Sequence, residues 1–313
     1  MTNAEARARP SIFEALWTSP MVLLSLTALM WGGNAVAGRV AVGEISPMAL
    51  VFFRWALACI PLLIAARPNF KEDLEVLRPR WRYIALAGLF GFTAFNALFY
   101  LSAHRTSAVN ISILQGLIPG LVAIGAWVVF GMRLKPLQGL GIILTMAGVI
   151  LIAARGDLAN LRELDFNSGD VMMIVASCLY AIYTLLLRRR PAVSSIGLFT
   201  AMAIVAFISS APLLGLEIWN GDFFWPTWKG LATLVYVALF PSLISQIFFI
   251  RGVQLIGPSR AGVFVNLVPI FGALLAVALL GEPFVAYHAA ALLLVVAGIW
   301  IAERSARAGA IQT

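Results

Sequence analysis

The sequence predicts an all-α integral membrane protein: ten transmembrane helices, built as two inverted five-helix repeats. Three observations carry that expectation. The 313 residues are 61% hydrophobic and 12% charged, with a mean hydropathy of +0.94, whereas a soluble chain holds about 25% charged residues. The apolar runs fall into ten stretches of about 20 residues, the length that crosses ~30 Å of hydrocarbon. The chain also matches itself. At an offset of 150, Pro119 falls on Pro269, Gly131 on Gly281 and Ala147-Gly148 on Ala297-Gly298. At an offset of 149, with one insertion, Trp31 meets Tyr180, Asn34 meets Tyr183, Arg39 meets Arg188 and Phe99-Tyr100 meets Phe248-Phe249. Five spans per copy is an odd number, so the second copy enters the bilayer from the opposite side.

The spans are expected at 21–42, 46–66, 83–103, 107–130, 136–154, 169–187, 194–215, 229–250, 258–280 and 284–302. Helices follow because backbone groups in lipid must pair within their own segment, and the runs are too long and too uniformly apolar for barrel strands. The first span carries Trp31, Asn34 and Gly38 on one face, and the second carries Arg54. The third aligns Phe92, Asn96 and Tyr100; the fourth has Gln115 one turn before Pro119. In the second copy, the sixth span aligns Tyr180, Tyr183 and Leu187, and the eighth Ser242, Gln246 and Phe249. The ninth has Asn266 three residues before Pro269, and the last holds His288 near its start.

The organisation read from this is a tail or interfacial helix at 1–20, a first repeat at 21–154, an external linker at 155–167, a second repeat at 168–303 and a cytoplasmic tail at 304–313. Ile12, Phe13, Leu16 and Trp17 share a helical face in the tail. The links are short, and no phosphate-loop motif is present, so ATP-driven pumping is not expected. Of the 22 Lys and Arg, Arg39, Arg105, Arg155, Arg162 and Lys229 lie on one side, Arg54 lies in a span, and the rest lie opposite. By the positive-inside rule both termini are cytoplasmic, and an inner membrane is expected. The net charge of +8 is therefore a topology signal and not a nucleic-acid footprint. Cys59 and Cys178 fall within spans and make no disulfide framework, and His104 and His288 are too far apart for a metal site; no cofactor is expected.

Charged residues deep in a membrane are functional candidates, and Arg54 stands alone in that class. No Asp or Glu lies near an expected span centre, which argues against a buried carboxylate relay for protons. Arg54 can meet a substrate carboxylate, or simply hold helices together through carbonyls. Amides are costly to leave unpaired in lipid, so Asn34, Asn96 and Gln246 must face other helices or a watery cavity. Together with Trp31, Tyr100, Tyr180 and Tyr183 they describe an aromatic cavity with scattered amides, suited to an amphipathic small molecule. Interhelical hydrogen bonding is the plainer role for each residue alone. Pro119 and Pro269, at matching mid-span positions, are expected to bend their helices as a pair of hinges, each amide just before them pairing with freed carbonyls.

Trp31-Gly32-Gly33-Asn34, the run from Ala108 through Pro119 to Gly131, and Gly257-Pro258-Ser259-Arg260-Ala261 with Asn266-Leu267-Val268-Pro269 and Gly281-Glu282 resemble the EamA domain, twice over residues 21–303. The resemblance implies the drug/metabolite transporter superfamily, with ten helices and small-molecule export; the whole chain is most similar to the YddG-type aromatic amino acid exporters. One departure stands out: Met132 occupies the position where the second copy has Glu282. The expected function is export of small amphipathic metabolites, amino acids with aromatic ones favoured, by alternating access. Other metabolites or drugs such as nucleosides are the alternative. An intramembrane enzyme lacks paired deep acids or a nucleophile with a base, and a channel lacks a filter or charged ring.

Overall fold

The computed structural model describes residues 17–132, 135–157 and 167–310. Residues 1–16 of the expected tail or interfacial helix at 1–20, and most of the linker at 155–167, lie outside them. All regular elements among the described residues are helical. Eight helical stretches are long and apolar enough to cross a membrane, and Ala286–Ala302 adds a shorter apolar one.

The first half runs α1 (Pro20–Ala41), α2 (Pro47–Ala66), α3 (Phe70–Leu77), α4 (Trp81–Gly88), α5 (Phe95–Ala103), α6 (Ala108–Gln115), α7 (Ile118–Phe130) and α8 (Pro136–Ala153). The second runs α9 (Ser168–Leu187), α10 (Ser195–Trp219), α11 (Trp228–Val237), α12 (Ser245–Ile256), α13 (Pro258–Val265), α14 (Val268–Leu280) and α15 (Ala286–Ala310). Proline opens α1, α2 and α8, where its missing N–H is unpaired in any helix. The outer surface is apolar, with Leu293 70% and Ile143 66% exposed. That is the arrangement lipid demands and water would penalise.

Three features escaped the sequence reading. First, at the prolines of the expected fourth and ninth spans a tight turn interrupts an otherwise helical run. Each span is broken into two half-helices, α6/α7 and α13/α14, with Pro119 and Pro269 in the first turn of the second half. At each break the N–H groups reach back only three residues: Gly116 to Ile113 and Leu117 to Leu114, then Asn266 to Val263 and Leu267 to Phe264. Second, a π-helical turn, with one extra residue per turn, joins α4 to α5 (Leu89–Ala94) and α11 to α12 (Ala238–Ile244). Third, α10 runs past the expected end at 215. Glu217, expected in a link, is buried and accepts hydrogen bonds from Met48 N (2.9 Å) and Ala49 N (3.1 Å), capping α2.

α7 and α14 close on Gly131 and Gly281, at φ 65° and 64°. Only a residue without Cβ enters that left-handed cap freely. α8 and α15 approach backbone to backbone, with Gly141 against Gly298 and Gly148 against Ala291; a Cβ on Gly148 would lie 2.8 Å from the Ala291 carbonyl oxygen.

Candidate functional site

The π-turns and helix breaks meet at mid-bundle. There they enclose a cavity of about 110 Å³, where one water takes roughly 10–15 Å³ on the same measure. It therefore admits a small solute or several waters. Its walls are Trp31 and Asn34 of α1, Arg54 and Trp55 of α2, Phe92 of the first π-turn, Phe95 and Asn96 of α5, and Tyr180 of α9. The floor is made by the breaks, through Gln115, Pro119, Asn266 and Pro269, and by Pro241 and Gln246. No Asp or Glu is among the described lining residues.

Arg54 is the electrostatic centre of this cavity. It is 3% exposed, and its partners are neutral. Nε and Nη2 donate to Ser242 Oγ at 3.0 and 2.7 Å, and Nη1 donates to Asn96 Oδ1 (2.7 Å) and Tyr100 Oη (2.5 Å). Ser242 can take both bonds because its own proton goes to the Val237 carbonyl, five residues back, at 2.6 Å; that reach is the geometry of the π-turn. Tyr100 in turn donates to Asn34 Oδ1 at 2.8 Å. The rings of Trp55 and Tyr100 lie 5.3 and 5.5 Å from the guanidinium carbon. Such contacts each favour a desolvated cation by about 2 kcal/mol. They soften a burial cost of several kcal/mol for an ion with no counter-ion.

A second cavity of about 450 Å³ adjoins the first, sharing Trp31, Tyr180, Gln246 and Asn266 and extending past Tyr183 and Thr184 to Leu187, Gln138 and Ala302. Glu282 stands at the start of α6, away from both cavities. Its carboxylate accepts from Ala108 N and Val109 N, each at 2.9 Å, capping α6, and pairs with Arg39 at 3.7 Å. Arg39 also donates to the Ala103 carbonyl at 2.5 Å. Burial, then Arg39 and Arg105, hold the His104 imidazole below its usual pKa, so at neutral pH it brings no charge to this end. Matching Arg39 and Glu282 through the internal repeat are Arg188 and Met132. These also touch, through Arg188 Nη1 and Met132 Sδ, and Arg188 stacks on Phe130 at 4.9 Å. A thioether is a weak, uncharged acceptor and a poor substitute for a carboxylate at a helix N-terminus.

The profile of the EamA-like transporter family matches residues 18–154 and again 167–303. The chain belongs to the EamA-like transporter family. It is a multi-pass membrane transporter, not an enzyme, and its family implies a small-molecule substrate. Among its relatives, the uncharacterised transporter YyaM of Bacillus subtilis is 27% identical over 295 residues, covering 90% of this chain and 92% of that one. An uncharacterised transporter of Archaeoglobus fulgidus is 28% identical over 292 residues, at 90% and 96% coverage. The S-adenosylmethionine/S-adenosylhomocysteine transporter of Chlamydia muridarum is 25% identical over 286 residues, at 87% and 88%. A solved crystal structure shares the fold, with a TM-score of 0.64 at 19% identity, covering 94% of this chain and 98% of that one.

Within this EamA-family fold, Trp31, Asn34, Arg54, Asn96, Tyr180 and Gln246 line the central cavity. Tyr183 lines the adjoining one. Tyr100, expected to face the cavity, is fully buried behind Arg54 and orients it instead. Asn96 and Tyr100 lie one turn apart on the same face of α5, and Arg54 Nη1 bonds both, so the guanidinium stands between Tyr100 and the cavity. The amides at the breaks do not pair with freed carbonyls as expected. Gln115 Nε2 reaches the Ile111 carbonyl at 3.5 Å, and Asn266 Oδ1 is buried with no partner. Pro241, read as structural, lies in the second π-turn and lines the cavity. His288 is capped by its own helix start, its Nδ1 accepting from Val285 N at 3.2 Å, and does not line the cavity.

Proposed function

We propose that this transporter exports amphipathic metabolites bearing a carboxylate, amino acids with aromatic side chains favoured, by alternating access between two inverted five-helix repeats. The observation that carries the substrate class is Arg54: a buried cation with only neutral partners, on a cavity with aromatic walls and no acid. A carboxylate is the ligand that such a site lacks, and an aromatic side chain suits walls of Trp31, Phe92, Phe95 and Tyr180.

Two further crossings support the reading of ten spans. Pro47–Ala103 is 57 residues long, about 85 Å of helix at 1.5 Å per residue. Lys71, Glu72 and Asp73 interrupt it midway, in α3, flanked by Pro68 and Pro79, so it crosses twice. Ala286–Ala302 supplies the last span. An internal two-fold is supported by the α8–α15 contact: adding 150 to Gly141 and Gly148 gives Ala291 and Gly298, so the two close approaches exchange. The half-helices repeat at the same offset, and the π-turns begin 149 apart. With five spans per copy, that two-fold lies in the membrane plane.

The charge distribution favours cytoplasmic termini in an inner membrane, with the Glu282 latch outside and Met132 inside. The adjoining cavity then extends toward the cytoplasm, and the latch seals the far side. This is the form expected of an inward-facing state. Pro119 and Pro269 act as matched hinges, each ending one half-helix and starting another.

A second reading is favoured by the Chlamydia relative. S-adenosyl amino acids carry the same carboxylate and ammonium with a purine in place of a benzene ring, and would use the same contacts. Counterflow into preloaded proteoliposomes tests both readings against a panel of labelled amino acids, S-adenosylhomocysteine and nucleosides. Exchange of aromatic amino acids is expected. Exchange of nucleosides alone, which lack a carboxylate, would remove Arg54 from substrate binding.

A further inference from the structure

We propose that the seam between the two helix breaks is the seat of the substrate's ammonium group. The inference rests on the reading of Arg54 as a carboxylate site and adds the opposite pole. An ammonium in this cavity finds no acid to meet it, so neutral oxygens must supply all its acceptors. They are concentrated in one place. Pro119 and Pro269 have no N–H, so the carbonyls of Gln115 and Val265 lose their i+4 donors, and both residues line the cavity. Asn266 Oδ1, buried and without a partner, is beside them. That makes three acceptors for the three N–H donors of an alkylammonium.

The two breaks converge. A Cβ added to Gly116 would stand 3.4 Å from Pro269 Cγ, so the break after α6 packs against the first turn of α14, at the second break. The carbonyl freed at each end carries a partial negative charge. The same breaks also present the N-termini of α7 and α14, which would favour an anion. Proline in the first turn deletes one N–H from each, tipping the seam toward acceptors. The donor pole is separate: beside Arg54, the Nε1–H of Trp55 is also buried and unpartnered. The cavity is thus dipolar, with donors at α2 and acceptors at the breaks, and this matches a zwitterion without any carboxylate from the protein.

Three probes separate the poles, read as binding-induced shifts in the melting temperature of the purified full-length transporter. L-phenylalanine engages both poles, 3-phenylpropionate only Arg54, and phenethylamine only the seam. Phenethylamine should bind, and Asn266→Leu should weaken it about tenfold or more, leaving 3-phenylpropionate unchanged. Asn266→Asp should strengthen phenethylamine, which a misfolded variant could not do. If 3-phenylpropionate binds and phenethylamine does not, the ammonium seat is wrong and the carboxylate reading stands. If only phenethylamine binds, the seat stands and the Arg54 reading falls. No binding by either, or a phenethylamine affinity indifferent to both Asn266 variants, overturns the seat. So does a requirement for Na⁺ with equal binding of phenylalanine and 3-phenylpropionate, which would mean that a metal cation fills the seam.

Discussion

Removing the Glu282 carboxylate should open the side that it now seals. In Glu282→Ala, Ala108 N and Val109 N lose acceptors at 2.9 Å, and Arg39 loses its ion-pair partner at 3.7 Å while keeping the Ala103 carbonyl. Hydrogen bonds to a charged group contribute roughly 1.5–3 kcal/mol each. Here water can replace part of that, and Ser107 still caps α6 by accepting from Asn110 N at 3.0 Å. A net loss of about 2 kcal/mol for the cap is reasonable, in line with helix-terminus effects. Arg39, 35% exposed, adds less than about 1 kcal/mol. The latch therefore stabilises the closed form by about 2–3 kcal/mol, which is a 30- to 150-fold change in the ratio of facing states. The assay is modification of Val265→Cys, in a background lacking Cys59 and Cys178, by a membrane-impermeant thiol reagent added outside. Outside labelling should rise by at least tenfold in Glu282→Ala. Unchanged labelling, with the protein folded and transporting, would show that the carboxylate is only a helix cap. The converse variant, Met132→Glu, should shift access away from the cytoplasm, though more weakly. Pro258, the counterpart of Ala108, has no N–H to offer, so Ser259 N and Arg188 would be the new partners.

Trp31→Ala and Tyr183→Ala should weaken transport most for aromatic substrates without loss of folded protein; wild-type kinetics in both would return these rings to packing. Pro119→Ala and Pro269→Ala should keep or raise thermal stability, because each restores a missing donor, and should bias cavity access in opposite directions; a shift in the same direction, or none, removes the hinge. Transport at a fixed substrate gradient should survive collapse of the pH gradient, since no carboxylate is among the described residues that line the cavity. Dependence on the gradient would point to a proton site elsewhere.

The helices were legible because lipid imposes a simple rule: a run of about 20 apolar residues must pair its own backbone. The cavity was legible for a related reason. Trp31, Asn34, Arg54, Asn96, Tyr180 and Gln246 are groups that lipid would expel, and all six line one space. What was hidden depends on backbone register. A π-turn leaves no mark in apolar composition, and neither does the place where Arg54 crosses the Asn96–Tyr100 face and screens Tyr100 from the cavity. A proline within an apolar run does not say how tight its bend is; the three-residue reach of the Gly116 and Leu117 N–H groups does, and that is a backbone fact. Glu217 was set in a link because a carboxylate near a span end usually meets water. Its burial depends on the unpaired N–H groups of α2, which come from 168 residues away in the chain.

The central claim is that Arg54 receives a substrate carboxylate. The direct measurement is counterflow of labelled phenylalanine into proteoliposomes holding wild type or Arg54→Gln, with unlabelled phenylalanine or phenylalaninamide as competitor. The wild type should prefer the carboxylate over the amide by at least tenfold, the ratio expected for one charge-assisted contact, and Arg54→Gln should lose the preference while still reaching the membrane folded. An Arg54→Gln transporter that keeps the wild-type ratio would contradict the account and leave Arg54 as a strut between α2, α5 and the second π-turn.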